Sequence, residues 1–372
     1  MKFGIVGRTE DGFFRYQGWP TLCKDENGVL YVGASGHRLT HVCPFGKNLM
    51  YVSYDDGKSW SAPIIINDTV LDDRDAGLTS LGEGKLLLTY FNRPWEFYNE
   101  GYVRKRTQSE ISPLAWELFN GMMKGYESLP PEKNHAGSFV RLSCDAGKSW
   151  EPPVKVPVSS PHGPIKLSDG RLLFLGKEFY SDEYEKDAIL VFESRDDGKS
   201  WEYLSKVETP ENCQLNYIYE PYAVELPDGR ILGALRMQSS KLTPDFTIYL
   251  CESEDGGKSW SMPRPTGING SPPHMIVHSS GAVVLTYGRR EVPYGERARI
   301  SYDGGKSFGE ELVISEEAPC SDLGYPSTVE LSNGRLLTVY YQFLPGDSFA
   351  SILYTEWELP ERDSQKHWYG EK

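Results

Sequence analysis

The sequence predicts an all-β fold, a six-bladed β-propeller made of four-stranded antiparallel blades. The first observation behind this prediction is an eight-residue pattern that we call the Asp box. SYDDGKSW returns along the chain as SCDAGKSW, SRDDGKSW, SEDGGKSW and SYDGGKSF. The copies start at Ser53, Ser143, Ser194, Ser253 and Ser301, and the last three intervals are 51, 59 and 48 residues. These intervals are close to the length of a propeller blade and exceed most solenoid repeats.

The second observation is a repeated segment that consists of a strand, a glycine turn and an apolar strand and that occurs six times. Each copy is typical of the first two strands of a blade. The segments are WPTLCKDENGVLYVGAS, DAGLTSLGEGKLLLTYFN, HGPIKLSDGRLLFLGKE, EPYAVELPDGRILGALR, PHMIVHSSGAVVLTYGR and YPSTVELSNGRLLTVYY, with turn glycines at 28, 84, 170, 229, 281 and 334. Six blades are therefore expected within a single domain that covers residues 1–372.

The sixth segment has no Asp box after it and continues into the apolar strand SILYTEWEL. Its blade therefore needs a strand from elsewhere in the chain. The N-terminal segment KFGIVGR alternates weakly between apolar and polar residues, and we expect it to complete or flank this blade. Such closure would remove an exposed edge strand.

Blade 2 carries an insertion. Its Asp box begins 59 residues after the turn glycine, whereas the corresponding distance in blades 1, 3, 4 and 5 is 20 to 25 residues. The extra chain covers about 93–135, lies between the second and third strands, and contains RPWEFYNEGYVRKRTQ and SPLAWELFNGMMKGY. We expect a short helix and a functional loop here, because long loops inside compact domains usually have a function.

The Asp boxes are interpreted as hairpin turns. Ser and Asp can hydrogen-bond nearby backbone amides, Gly permits a positive φ, and the closing aromatic residue packs between strands. Chemistry would not need five equivalent copies, so a catalytic role is not expected for these aspartates, which are Asp55, Asp145, Asp196, Asp255 and Asp303. A calcium loop of the EF-hand kind needs a further acidic series ending in Glu, and none follows the glycine.

Composition narrows the classes of function. A net charge of −14 over 372 residues argues against nucleic acid as a partner. No run of about 18 apolar residues could span a membrane, and the N-terminus lacks a signal-peptide pattern, so a cytoplasmic location is expected. The six cysteines are far apart and lack metal-ligand spacing, so neither a metal nor another cofactor is predicted. The sequence leaves the oligomeric state open.

Topology sorts the remaining residues between the two ends of the propeller. In a four-stranded meander, the turns that carry Asp boxes lie at the end opposite the blade 2 insertion. The insertion end, which we call the mouth, receives residues just before each first strand and just after each second strand. These include Trp19, Arg74, Asp75, His162, Glu220, His274, Asp322 and Tyr325, followed by His37, Arg38, His41, Arg93, Lys177, Glu178, Arg236 and Arg290.

Several mouth residues have both a catalytic and a structural interpretation. Carboxylates such as Asp75 can transfer protons, but LDDRDAG can equally be a self-paired loop. His37, His41 and His162 can move protons near neutral pH, whereas His274 is interpreted as structural. Tyr325 can instead be a packed aromatic residue of an inner strand. Arg236 has the stronger functional case, since a buried arginine is costly without an anionic partner.

Five Asp boxes on six blades resemble the sialidases and their Asp-box relatives over nearly the whole chain. Sialidases use a Tyr nucleophile with a Glu partner, an Asp acid/base and three arginines that hold the substrate carboxylate. EPYAVELPDGRILGALR resembles their blade 4 motif, which implies Glu220 as the partner and Arg236 as one clamp arginine. DLGYPSTVEL resembles their blade 6 motif and implies Tyr325 as the nucleophile. Another clamp arginine is Arg290 or Arg297, because GRREVPYGERARIS aligns in two ways.

The chain departs from the family pattern at blade 1. Sialidases open this blade with Arg-Ile-Pro, whereas this sequence has Gly18, Trp19 and Pro20, so the first clamp arginine is missing. The loop expected to supply the Asp acid reads GHRLTHVCPFGKN and contains no carboxylate.

The resemblance and the mouth residues together predict a sialidase-like exo-glycosidase that removes a terminal acidic sugar from a glycan. Tyr325, activated by Glu220, would attack the anomeric carbon, and Asp75 or a blade 1 histidine would protonate the leaving group. The expected substrate-binding residues are Arg236, Arg290, Arg297, Arg74, His37, Arg38, His162, Trp19 and Asp322. Two alternatives stay open: a non-catalytic glycan-binding propeller, and a lyase acting on uronic acids.

Overall fold

The computed structural model describes residues 1–134 and 136–360 and has the predicted architecture, a six-bladed β-propeller of small antiparallel sheets. The strands are β1 (Lys2–Gly7), β2 (Tyr16–Lys24), β3 (Leu30–Arg38), β4 (Lys47–Ser53), β5 (Ile64–Asn67), β6 (Arg74–Gly82), β7 (Lys85–Asn92), β8 (Gly137–Ser143), β9 (Val154–Val156), β10 (Val158–Ser159), β11 (Ile165–Lys166), β12 (Leu172–Glu178), β13 (Ile189–Ser194), β14 (Glu202–Val207), β15 (Ile218–Glu225), β16 (Ile231–Gln238), β17 (Phe246–Ser253), β18 (Arg264–Asn269), β19 (Pro273–Val277), β20 (Val283–Arg289), β21 (Gly295–Ser301), β22 (Leu312–Val313), β23 (Gly324–Glu330), β24 (Leu336–Phe343) and β25 (Ala350–Trp357).

Blades 1, 2, 4 and 5 each take four consecutive strands, beginning at β2, β6, β15 and β19. In blade 3, the two short strands β10 and β11 both pair with β12, so together they replace one inner strand. Blade 6 has the order β1, β25, β24, β23. Pairing of β1 with β25, which places Lys2 opposite Glu356, confirms that the N-terminal segment completes the last blade.

The hydrophobic core lies between adjacent blades. Blades 6 and 1, for example, pack Leu337 and Val339 against Leu30 and Val32, all of which are fully buried. Burial of each such side chain contributes about 1.5–3 kcal/mol. Because every blade has two neighbours in the closed ring, the inner strands are held firmly around the central axis, where the mouth residues begin.

All five Asp boxes have the predicted turn geometry. In the first, Asp55 Oδ1 accepts hydrogen bonds from the Ser59 amide at 2.9 Å and from Ser53 Oγ at 2.8 Å. Ser53 Oγ in turn accepts from the Gly57 amide at 2.9 Å, and Gly57 has φ +80°. The other four boxes repeat these contacts with closely similar distances. These aspartates therefore hold turns together.

The insertion between β7 and β8 contains two α-helices where one short helix was expected, α1 (Gly101–Glu110) and α2 (Pro113–Tyr126), with 3-10 turns at Trp95–Asn99 and Pro131–Lys133. Ser112 caps α2 by accepting from the Ala115 amide at 3.2 Å. The buried face of the helices, with Phe119 and Met123, packs on Cys43 and Phe45 of the loop after β3. The insertion thus covers the blade 1 side of the mouth; residue 135, its expected end, lies outside the described residues.

The described helices are too short to cross a membrane and lack a sufficiently apolar stretch. The division of the chain into one domain over 1–372 stays a prediction, since residues 361–372 lie outside the described residues.

Candidate active site

Four inner strands are interrupted at equivalent positions, and each interruption presents one side chain to the mouth. Register shifts in β2, β6, β15 and β23 bracket Trp19, Asp75, Glu220 and Tyr325. These residues have positive φ angles of 54°, 53°, 29° and 55°, which are uncommon for residues other than glycine. Such bulges re-aim side chains, and strained backbone of this kind clusters at functional sites.

A proline follows the bulged residue in three of the four strands, at Pro20, Pro221 and Pro326. Proline has no amide hydrogen to contribute to the strand ladder, so it is tolerated where pairing is broken. These prolines are the sequence signal that locates the bulges.

The bulges of blades 4 and 6 bring Tyr325 and Glu220 into direct contact. Tyr325 Oη donates a hydrogen bond to Glu220 Oε1 at 2.5 Å. Arg236 Nη1 donates to Glu220 Oε2 and also, at 3.2 Å, to Tyr325 Oη. Tyr325 is 5% exposed and Arg236 is 9% exposed. A phenol, a carboxylate and a guanidinium therefore form one hydrogen-bonded group at the mouth.

Electrostatics fixes the protonation of this group. Burial opposes ionisation of Glu220, but the Arg236 charge and the hydrogen bond from Tyr325 outweigh it, so the pKa of Glu220 lies below its ordinary value. Burial, followed by the negative charge of Glu220, raises the pKa of Tyr325 well above its usual range. At rest, the phenol is protonated and the carboxylate is ionised and ready to accept the phenolic proton.

Asp75 lies on the neighbouring blade 2 bulge with a different environment. It is 8% exposed, and its Oδ1 atom has no hydrogen-bond partner among the described residues. Burial raises the pKa of Asp75 to about 7, although the adjacent Arg74 charge acts in the opposite direction. A carboxyl group with this pKa is suited to give and take protons at neutral pH.

The structure separates the two arginines that the sequence left as alternatives. Arg290 lies 6.0 Å from the centre of the Tyr325 ring and is held by the carbonyls of Ser271 and Ser321. Within residues 1–134 and 136–360, no carboxylate forms an ion pair with it. Arg297 is 1% exposed, and both its Nη atoms donate to backbone carbonyls. This corrects the expectation that Arg297 binds substrate.

Arg38 requires a similar correction. Its guanidinium is fully buried and donates to both carboxylate oxygens of Asp72, at 2.5 and 3.0 Å. Tyr98 of the insertion donates to the same carboxylate at 2.5 Å. Arg38 therefore ties the blade 1 loop to blade 2 and the insertion, and is not available to a ligand.

Trp19 is 1% exposed and lies beneath Arg74, whose guanidinium carbon is 4.3 Å from the centre of the indole ring. Trp19, which the sequence listed among the substrate-binding residues, is therefore a buried support for the guanidinium. Arg74 Nη1 donates to the His41 carbonyl at 3.2 Å, and its Nε atom has no partner among the described residues.

A histidine–aspartate pair lies beside Trp19; the sequence named His41 and Asp322 separately, but their contact was not predicted. His41 Nδ1 is 2.8 Å from Asp322 Oδ1, and Asp322 also accepts from Tyr16 and Tyr341 at 2.9 Å each. Burial lowers the pKa of His41, whereas the negative charge of Asp322 acts in the opposite direction. Asp322 therefore orients His41, the histidine of the blade 1 loop where the resemblance places the proton donor.

The other histidines differ in their access to a ligand. Thr21 Oγ1 donates to the Pro161 carbonyl, so His162 Nδ1 must donate to Thr21 and its Nε2 atom carries a lone pair. That Nε2 atom is buried without a partner among the described residues, and burial lowers the pKa of His162 to about 3. His274 is buried and bonded to Ser327 and Thr328, which agrees with its structural interpretation. His37 is exposed and stacks on Phe14, with 4.4 Å between ring centres.

A metal site is not evident: across residues 1–134 and 136–360, no three His, Cys, Asp or Glu side chains are arranged to hold an ion.

Comparison with solved structures finds proteins that share the propeller fold. A comparison with curated protein sequences finds no match. A crystal structure of a protein of unknown function from Dyadobacter fermentans superposes with a TM-score of 0.76 at 23% identity, covering 96% of this chain and 98% of that one. A sialidase from Streptococcus pneumoniae gives 0.69 at 15% identity, covering 96% and 70%. An α-L-arabinanase from Penicillium chrysogenum gives 0.61 at 14% identity, covering 96% and 98%.

These structural likenesses establish the fold shared with propeller glycosidases. The family match extends further along the sequence, since residues 125–338, more than half of the chain, match the model described as a BNR repeat-like domain. The chain therefore belongs to the BNR repeat-like family.

Proposed function

We propose that this protein is a sialidase-like exo-glycosidase that removes a terminal acidic sugar from a glycan. The observation that carries the proposal is the 2.5 Å hydrogen bond from Tyr325 Oη to Glu220 Oε1, with Arg236 in contact with both groups. A phenol of ordinary pKa about 10 is a poor nucleophile unless a base takes its proton as it attacks. We assign the role of that base to Glu220.

In the first half of the reaction, Tyr325 Oη attacks the anomeric carbon and its proton passes to Glu220. The bond from that carbon to the glycosidic oxygen breaks, and the leaving oxygen takes a proton from Asp75. In the second half, Asp75 accepts a proton from water, which attacks the same carbon. The tyrosyl bond then breaks, and Glu220 returns the proton to Tyr325, so protons and electrons balance.

The sugar carboxylate is assigned to arginines around Tyr325. Arg290 contributes a positive charge that no carboxylate of the described chain pairs with. Arg236 already pairs with Glu220, so its role is shared between the substrate and the base. Arg74 lies over Trp19, the neighbour of Gly18, which stands where the sialidases have their first clamp arginine, and we assign to Arg74 the third position in the clamp.

His41 is the second candidate proton donor, on the evidence of its 2.8 Å contact with Asp322. Asp75 is favoured because it shares the electrostatic environment of Tyr325 and Glu220 directly. The two assignments differ in a measurable way, which is described with the predictions below.

The proposal is tested by incubating the full chain with a panel of sialosides, uronides and deoxysugar glycosides and identifying released sugars by mass spectrometry. The expected result is release of one terminal acidic sugar, and its loss in Tyr325→Phe. Formation of an unsaturated sugar would instead indicate a lyase. Saturable binding with no product from any glycan would indicate a glycan-binding propeller.

A further inference from the structure

A cavity of about 730 Å³ extends from the candidate active site toward blade 3. Asp75 and Glu220 line its buried end, while Arg93 and Tyr180 line its exposed rim. Its volume falls in the range of sites that hold ligands larger than one sugar ring. The cavity begins at the proposed proton donor, Asp75, so it lies on the side of the scissile bond where the leaving group must be.

The wall of this cavity combines aromatic rings with a positioned cation. Arg93, the first residue of the insertion, has its guanidinium carbon 4.7 to 5.6 Å from the ring centres of Phe91, Phe97 and Phe179. It also donates to Tyr180 Oη at 3.3 Å. Tyr180 is 42% exposed and has φ +50°, a strained conformation that orients its ring at the rim. Exposed aromatic faces of this kind are suited to stacking on a sugar ring.

The positive charge of Arg93 is not neutralised by the protein. Lys155 and Lys186 also line the cavity. In the part of the chain that the structure describes, none of these three cations forms an ion pair.

The carboxylates around the cavity are mostly occupied. Glu178 accepts the amides of Ser181 and Asp187, and Asp187 pairs with Lys177 at 3.1 Å. Asp182 is the opposing charge at the exposed rim. Hydrogen bonds from amides leave the negative charge of Glu178 in place, so the carboxylates and cations of the cavity nearly balance. The local positive site is the guanidinium of Arg93, which forms no ion pair among the described residues and lies against the aromatic wall.

We propose that this cavity is a second subsite, which binds the sugar residue on the leaving side of the scissile bond and selects one that carries a carboxylate or sulfate. The placement of the subsite relative to the bond rests on the proposed function. Tyr180 and Phe179 stack on the ring, and Arg93 pairs with the anionic substituent, with Lys155 contributing to the field. The substrate is then an oligosaccharide with acidic groups on two successive residues.

Equilibrium binding separates this proposal from the reaction itself. Methyl galactoside 6-sulfate and neutral methyl galactoside are titrated into the full chain by ligand-observed NMR. The unaltered protein is expected to bind the sulfated sugar at least about tenfold more tightly than the neutral one, because one charge-assisted hydrogen bond is worth about that factor. Arg93→Gln removes this hydrogen bond and is expected to abolish the preference. Lys105→Gln is the matched control, because it removes an exposed cation from the same insertion outside the cavity.

Equal affinity for the two sugars, or a preference that survives Arg93→Gln, would overturn the subsite. Loss of the preference in Arg290→Gln, with Arg93→Gln unaffected, would also overturn it, since the sulfate would then occupy the carboxylate clamp. The titration and a separate assay of glycan cleavage by Tyr325→Phe together tell the two proposals apart. Retained glycan cleavage by this variant defeats the proposed reaction alone, whereas the Arg93-dependent preference decides the subsite alone.

Discussion

Acidic side chains occupy both ends of the propeller, but in opposite arrangements. At the Asp-box end, Asp55 and its four equivalents have the same partners, a serine hydroxyl and a backbone amide in a tight turn. At the mouth, Asp75, Glu220 and Asp322 each have a different environment: an orphaned oxygen, a phenol with a guanidinium, and a histidine with two tyrosines. The repeated arrangement stabilises the fold, and the unrepeated ones mark the chemistry.

The pKa values follow the same division. Hydrogen bonds from Ser59 lower the pKa of Asp55 to about 2, so it is ionised at any physiological pH. Burial raises the pKa of Asp75 to about 7, so its protonation changes near neutrality. A carboxylate that is always ionised suits a turn, whereas one that titrates near pH 7 suits proton transfer.

The sharpest test of the mouth is removal of the nucleophile and its base. Tyr325→Phe and Glu220→Gln should each lower kcat by roughly 10²–10⁴-fold, the range for loss of a positioned proton acceptor. The double variant should lose much less than the product of the two losses, because both residues act as one unit. Steady-state kinetics on the sugar found by the product screen gives these values, and thermal melting verifies folding.

Tyr222→Phe is the matched control for this pair, since Tyr222 lines a cavity of about 510 Å³ between the inner strands and not the cavity lined by Asp75 and Glu220. Its kcat should match that of the unaltered protein. If Tyr325→Phe kept full activity, a carboxylate pair with Asp75 foremost would become the better account of the reaction.

The second test separates the two proton donors. Asp75→Asn should lower kcat on natural glycans by roughly 10²–10⁴-fold but leave aryl glycosides, whose leaving groups need no proton, far less affected. The acid must be protonated to act, so activity should fall as pH rises through about 7, and this limb should vanish in Asp75→Asn. The same pattern in His41→Gln, with Asp75→Asn nearly unimpaired, would assign the proton to the histidine.

The pH dependence of protein stability tests the raised pKa of Asp75 independently of activity. Because its pKa is raised in the folded protein, the contribution of Asp75 to stability diminishes as pH rises and is lost above about 7. Asp75→Asn should therefore raise the melting temperature at pH 8 relative to the unaltered protein. If the melting temperature of Asp75→Asn at pH 8 were equal to or below that of the unaltered protein, the ionised Asp75 carboxylate would have to be stabilised by hydrogen bonds or cations in solution.

A smaller effect is expected from the clamp. Arg236→Lys should raise KM for an anionic sugar by roughly tenfold to a hundredfold, since a hydrogen bond to a charged group is worth about 1.5–3 kcal/mol and lysine lacks the bidentate fork. Arg230→Lys is the control, because Arg230 pairs with Asp228 and Glu252 at the opposite end of blade 4. An equal change in KM for neutral sugars would contradict a carboxylate-binding role.

The smallest effect belongs to the Asp-box end. Asp196→Ala removes turn hydrogen bonds and should lower the free energy of unfolding by about 0.5–2 kcal/mol, with kcat per folded molecule unchanged. The pKa of Asp55 is depressed to about 2, so its stabilisation is present above about pH 4 and is lost as pH falls through about 2. Burial opposes ionisation of Asp196, but hydrogen bonds from Ser200 outweigh it and lower the pKa of Asp196 as well, so its stabilisation is also lost toward acid pH. A folded Asp196→Ala protein without turnover would remove the distinction between the two ends.

Residue pattern alone predicted what is repeated in this molecule. Asp boxes and glycine turns report local backbone geometry, so the six blades followed from their spacing, and the unpaired last blade led to the N-terminal strand. Repetition also placed the insertion between the second and third strands of its blade, where α1 and α2 lie.

The parts that could not be predicted depend on contacts between distant segments. Arg38 precedes Asp72 by 34 residues, and nothing local indicates that the pair is sealed beneath Tyr98. Arg290 and Arg297 lie in one short stretch, and only the reversal of the chain between β20 and β21 separates a mouth arginine from a buried one. The contact of His41 with Asp322 joins blades 1 and 6 and has no local signal.

The central claim is that Tyr325 forms the bond to the sugar. A 3-fluoro derivative of the acidic sugar found by the screen, carrying a fluoride leaving group, should slow breakdown of the glycosyl-enzyme enough to isolate it. The account predicts a mass increase of one sugar on the intact chain, located by peptide mass spectrometry on Tyr325 and absent from Tyr325→Phe. A sugar attached to Asp75 or Glu220 instead, or turnover that continues in Tyr325→Phe, would contradict it.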